Sequence, residues 1–151
     1  MKIAAIVARK GPQLTTVRET SPMGEAVAAM HAHAIGSVAV MDAHSLQILG
    51  IVSQQELTKG IATHGIHALD LPVLTFMRRP ALFCSCEDNA ENVMRIMTRE
   101  RCRHAIVRTA AGALAGLVSL GDLVAALLEE AQLEAGVLRD LARSHLLAAS
   151  G

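Results

Sequence analysis

Apolar and polar positions follow one another along this chain in an order that is run through twice. Residues 14–17 form a short apolar run of strand character. Met23, Ala26, Val27 and Met30 then recur at helical spacing, behind Ser21 as an N-cap and Pro22 as the first helical residue. Residues 37–41 and 48–52 are rich in Val and Ile and flank Asp42-Ala43-His44-Ser45, which predicts a β-hairpin. A helix is predicted from Ser53 to a stop at Gly65. The order then returns with a strand over 82–85, a cap at Asp88 or Asn89, and a helical face of Val93, Met94, Ile96 and Met97. A hairpin of 105–108 and 114–118 around Thr109-Ala110-Ala111-Gly112 comes next, and a helix from Ser119 follows it.

The second hairpins carry the repeat in their residues. Gly50-Ile51-Val52-Ser53-Gln54-Gln55-Glu56-Leu57 comes back as Gly116-Leu117-Val118-Ser119-Leu120-Gly121-Asp122-Leu123, with four of eight positions identical. The offset is 67 before the hairpin loop and 66 after it. A repeat of this length is a whole supersecondary unit, and two copies predict a pseudo-two-fold domain rather than a solenoid. The expected fold is α/β, with two β-α-β-β-α repeats and a long C-terminal helix. The first repeat, with an N-terminal helix, takes residues 1–68; a linker with a short helix after Pro72 takes 69–81; the second repeat takes 82–151. From Leu120 the chain is rich in Ala, Leu and Glu and reads as helix almost to its end, with Gly136 as the expected break or bend. Leu123, Leu127, Leu128, Leu133, Val137, Leu138 and Leu141 make that helix amphipathic, which predicts burial of part of it against a second subunit.

Composition narrows the function. Hydrophobic residues are 52% of the 151, yet Phe76 and Phe83 are the only aromatics, so the core is aliphatic. Fourteen basic residues balance fourteen acidic ones, which argues against bulk binding to nucleic acid or an anionic membrane. The balance is uneven locally: seven arginines face four acids between residues 77 and 110, a candidate anion site. Three cysteines do not suggest a secreted disulfide framework, and no apolar run approaches a membrane span, so the expected location is cytoplasmic. Cys84-x-Cys86, His31-x-His33 and His64-x-x-His67 lack the paired spacing of a structural zinc site, and no metal is expected. With no P-loop, no GxGxxG and no Ser-His-Asp arrangement, no enzymatic activity is expected.

The motifs together resemble a tandem CBS (cystathionine-β-synthase) domain pair. The similarity lies in Met97-Thr98-Arg99-Glu100-Arg101-Cys102-Arg103-His104-Ala105-Ile106-Val107 and in the block from Gly116 to Val124. Met30, the run Ile35-Gly36-Ser37-Val38-Ala39-Val40, the Gly50 block and Met77-Arg78-Arg79-Pro80 extend it, so that it covers residues 2–140. A stand-alone pair of this kind implies a non-catalytic sensor of energy or redox state that binds AMP, ADP, ATP or NAD between its repeats and forms a homodimer. A separate effector protein is an expected partner. The alternative is a structural dimerisation module whose clefts bind no nucleotide.

The resemblance also assigns residues. By spacing alone, Ser119-x-x-Asp122 and Ser53-x-x-Glu56 are capping boxes. The resemblance implies a second role, with Asp122 on a ribose diol and Ser119 near phosphate at a helix N-terminus. Glu56, one methylene longer, implies a weaker first site. Arg103 and His104 are candidates for phosphate, opposite uncharged Gly36 and Ser37 in the first repeat. Thr16, Arg78, Cys84 and Ala105 complete the ligand-binding set that the resemblance implies, and Lys10 and Arg79 could add charge. Phe83, where Thr16 stands in the first repeat, is either core or an adenine contact.

Overall fold

The computed structural model describes residues 1–11 and 14–151. In chain order these form α1 (Ile3–Lys10), β1 (Thr16–Arg18), α2 (Met23–Ala32), β2 (Ser37–Met41), β3 (Ile48–Ser53) and α3 (Gln54–His64). After 3-10 turns at Gly65–Asp70 and Val73–Thr75 come β4 (Phe83–Ser85), α4 (Ala90–Glu100), β5 (His104–Arg108), β6 (Leu114–Ser119) and α5 (Leu120–Ala149). The expected β-α-β-β-α unit is therefore present twice. Each copy makes a three-stranded sheet, β1-β2-β3 and β4-β5-β6, with the first pair parallel and the hairpin antiparallel. Even the backbone irregularities repeat: Ala34 and Arg101, both at φ 51°, end α2 and α4 at matching positions.

Strand alternation sends successive side chains to opposite faces of each sheet. Val38, Val40 and Val52 pack under α2 with Met23, Ala26 and Met30. Ala105, Val107 and Val118 pack under α4 and α5 with Val93, Met97 and Leu123. The other faces meet each other, and Ala39, Ile51, Ala81 and Ile106 form a small core between the sheets, with Leu14, Ile48 and Leu117 around it.

Packing crosses the boundary that chain order suggests at residue 68. Helix α1 buries Ile3 and Ile6 in the second repeat's core, and the Ile3 and Ala4 N–H groups donate to the Asp88 and Cys86 carbonyls. The linker serves the first repeat in the same way: Val73 is fully buried there, and the Val73 and Leu74 N–H groups donate to the Ser21 and Glu19 carbonyls. Each repeat is completed by the segment that precedes the other.

Two sequence expectations are corrected. Ser21 does not cap α2: the helix begins one residue later, with Pro22 at the cap position, and the Leu71 carbonyl of the linker takes the Met23 N–H at 2.8 Å. Gly136 does not break α5, which runs unbroken for 30 residues. One glycine costs a helix only ~1 kcal/mol, and strong helix formers flank this one. No helix among the described residues is long and apolar enough to cross a membrane.

Candidate functional site

The strand alternation that builds the core between the sheets also builds the layer above it. Ser37 follows the face of Ala39, Ser53 that of Ile51, His104 that of Ile106 and Ser119 that of Leu117. Four polar side chains thus close the apolar core from four strands, two per repeat, about the pseudo-two-fold axis. In this layer Ser37 pairs with Ser53 and His104 with Ser119. The two serines that end β3 and β6 also cap α3 and α5, so both helix N-termini start from the layer.

A cleft of about 940 Å³ opens over this layer. Gly36, Ser53, Gln54, Gln55 and Thr58 line it from the first repeat; Arg101, Arg103, His104, Ser119, Leu120 and Gly121 line it from the second, with Met97 and Val124 as apolar wall. Two arginines and two helix N-termini face it, and no carboxylate is among its lining residues. This electrostatic setting suits an anion. Arg103 is exposed at the cleft. His104 reaches across the axis to pack on the first repeat: a side chain at Gly36 would place its Cβ 3.3 Å from Nε2. Burial pushes the imidazole below its ordinary pKa, and Lys10 and Arg103 add to this against the pull of Glu56 and Asp122.

Both capping boxes form, and they differ. Glu56 accepts the Ser53 N–H at 2.8 Å and the Ser53 hydroxyl on the same oxygen, and it is only 6% exposed. Asp122 Oδ2 accepts the Ser119 N–H at 2.8 Å and is also held by Lys10 Nζ at 2.7 Å, while Ser119 Oγ accepts the Asp122 N–H at 3.1 Å. Burial alone would raise the Asp122 carboxyl, but Lys10 and the Ser119 N–H outweigh it and hold it below the usual carboxylate range.

Of the residues singled out in the sequence, Gly36, Ser53, Arg103, His104 and Ser119 are brought together in the cleft. Ser37 and Glu56 lie buried directly behind it, and the Ser37 hydroxyl has no partner among the described residues. Asp122 is one helical turn into α5, under Lys10. Five others stand elsewhere. Ala105 faces the opposite side of its strand and is fully buried under the helices. Cys84 packs on that same core, where burial, with Asp88 and Cys86 nearby, pushes its thiol up to about 12. Thr16 is exposed on the edge strand β1. Arg78 pairs its backbone with Ile51, and its guanidinium donates to the Glu100 and Arg101 carbonyls at the end of α4, tying the linker to the second repeat. Phe83 is capped by Arg108, 4.2 Å from the ring centroid. Sequence reasoning missed Arg101, Gln54, Gln55 and Thr58 as cleft residues. Arg101 belongs to the arginine-rich stretch, and the other three carried no signal. Among the described residues no group of three or more His, Cys, Asp or Glu could hold a metal ion.

The CBS domain profile matches residues 7–63 and 72–129. The chain belongs to the CBS domain family. CBS pairs are regulatory modules, generally without catalytic activity. A CBS-domain containing protein of Agrobacterium tumefaciens is 36% identical, with a TM-score of 0.77 over 83% of this chain and 92% of that one. A CBS domain protein from Pyrobaculum aerophilum, solved in complex with AMP, is 22% identical, with a TM-score of 0.73 over 87% of this chain and 99% of that one. An uncharacterised 17.7 kDa protein of Acidianus ambivalens is 27% identical over 113 residues, which are 75% of this chain and 66% of that protein's length.

Proposed function

We propose that this CBS pair is a cytoplasmic, non-catalytic sensor that binds an adenosine-containing ligand, such as AMP, ADP, ATP or NAD, between its repeats. The observation that carries the reading is the cleft itself. It joins both repeats, it presents Arg101, Arg103 and two helix N-termini, and it holds no opposing carboxylate. Its volume is within the range of small-molecule sites. Phosphate is held by Ser119, Arg103 and His104 in the cleft, and the ribose diol by Asp122, which stands next to the lining residue Ser119 rather than in the lining and whose carboxylate can accept two hydrogen bonds. The AMP complex of a protein with the same fold supports the ligand class. A ligand touching both repeats favours one relative arrangement of them, to the extent of its differential affinity for the two states. The exposed apolar residues of α5, from Val124 to Leu147, support a homodimer and offer a surface to a separate effector protein.

A second reading, a dimerisation module without a nucleotide, is favoured by one feature: both box carboxylates already have partners. A thermal-shift panel separates the two. A ligand at 100 times its dissociation constant stabilises the fold by ~2.7 kcal/mol, a plain rise in melting temperature. Arg103→Ala is expected to lower affinity for AMP or ATP about tenfold and to leave adenosine nearly unchanged, because a charge-assisted bond needs the phosphate. No shift with any adenosine ligand would leave the dimerisation reading standing.

A further inference from the structure

The two capping boxes are alike in sequence position and unlike in what surrounds their carboxylates. In the first repeat Glu56 is closed off and satisfied by Ser53 alone. In the second, a cation has been brought in from another part of the chain. Lys10 is the last residue of α1, and α1 is anchored on the second repeat by Ile3 and Ile6. Its ammonium donates to Asp122 Oδ2 at 2.7 Å and to the Leu117 carbonyl at 3.1 Å, which uses two of its three protons. Neither partner is sealed: the Lys10 and Asp122 side chains are 33% and 29% exposed. Lys10 also acts electrostatically on His104, which lines the cleft. The pair is therefore a carboxylate and its counter-ion held beside two cleft-lining residues, Ser119 and His104, and both are within reach of solvent.

We propose that Lys10 is a specificity-determining residue that makes the second repeat accept a phosphorylated nucleoside and reject the bare nucleoside. This rests on the nucleotide reading given above. A vicinal diol that spans both Asp122 oxygens must compete for Oδ2, which already accepts from Lys10 Nζ and the Ser119 N–H, and so draws the carboxylate away from the ammonium. If the ligand also carries a phosphate, the ammonium exchanges one anion for another and the ion pair is replaced rather than lost. If the ligand ends at its 5′ hydroxyl, the ammonium gives up a charged acceptor and gains none. The cost falls on the nucleoside alone, so the ion pair converts a diol contact into a test for diol and phosphate together. Among the described residues no such cation pairs with Glu56, so this discrimination belongs to the second repeat.

The test is calorimetric titration of the full chain with AMP and with adenosine, for wild type, Lys10→Met, Lys10→Gln and Lys2→Met. Lys10→Met keeps most of the aliphatic stem, and Lys10→Gln keeps a polar end, so either suffices if the other fails to fold. Lys2→Met removes the same charge from the same end of the chain, at an exposed pair with Glu87. The ratio of AMP affinity to adenosine affinity is expected to fall about tenfold or more in both Lys10 variants, through weaker AMP and stronger adenosine binding, and to stay at its wild-type value in Lys2→Met. AMP binding with a ratio within about twofold of wild type in a folded Lys10 variant, or an equal fall in Lys2→Met, overturns the inference and leaves the nucleotide reading intact. Failure of wild type to bind AMP at all defeats the nucleotide reading, and this inference with it.

Discussion

Replacing Gly50 by alanine puts one methyl group where the linker backbone passes. The new Cβ would lie 2.4 Å from the Arg78 carbonyl oxygen, 3.3 Å from the Arg78 carbonyl carbon and 3.2 Å from Met77 Sδ. A flexible side chain could turn aside, but a carbonyl can retreat only by moving its strand. Arg78 makes a two-bond bridge to Ile51 here, at 3.1 and 2.8 Å, and its guanidinium reaches the end of α4. Losing two backbone bonds costs ~1–3 kcal/mol, and overpacking adds a similar amount where the backbone cannot yield. Gly50→Ala is therefore expected to destabilise the fold by about 2–6 kcal/mol, a large share of a typical domain stability of ~5–15 kcal/mol. Gly136→Ala is the same chemical change in open space on α5, with nothing within 4 Å of the new Cβ, and is expected to stabilise by ~0.5–1 kcal/mol. Urea unfolding followed by circular dichroism, at one fixed protein concentration, measures both. A Gly50→Ala loss below ~1 kcal/mol, or a Gly136→Ala variant that loses as much as Gly50→Ala, would refute the close-approach argument.

Two further outcomes follow from the cleft and the last helix. The His104 pKa is lowered in the fold, so the unfolded chain binds the proton more readily; stability is expected to fall as pH drops through about 6.5, and His104→Asn should flatten that slope. Asp122, lowered instead from 3.8, loses its contribution only below about pH 4, so acid titration of the variant separates the two windows. Sedimentation equilibrium of the full chain is expected to give about twice its 15.9 kDa mass at micromolar concentration, and Leu138→Glu to shift it toward monomer; a wild-type monomer would remove the homodimer.

What the sequence made legible was local. The hairpins, the linker turn after Pro72 and both Ser-x-x-acid boxes depend on residues within a few positions of one another, and their periodicities are direct images of strand and helix geometry. The polar layer over the inter-sheet core was half legible, because period two puts Ser37, Ser53, His104 and Ser119 in line with Ala39, Ile51, Ile106 and Leu117. What was hidden came from long-range packing. Nothing near Lys10 indicates that it lies on Asp122, and nothing near Leu71 indicates that its carbonyl caps α2 in place of Ser21. Gly50 and Gly116 read as one repeated glycine but are required for different reasons: Gly50 for the passing linker, Gly116 for a φ of 155°. The arginines of 78–108 read as one anion site, yet Arg78 is used by the α4 carbonyls and Arg108 by Phe83.

The crossing of the two leading segments also sets an order of events during synthesis. The first repeat has all its parts once the linker has left the ribosome. The second repeat's partner, α1, is made before either repeat, and the core its Ile3 and Ile6 enter is complete only when Leu123 and Ala126 have been added. At ~5–20 residues per second, that wait is roughly 6–25 s. Through that interval the nascent chain carries a finished half-domain together with an unhoused apolar helix. In closing the second half, α1 docks onto a surface completed only by the start of α5, so a helix made before both repeats is among the last elements to be buried.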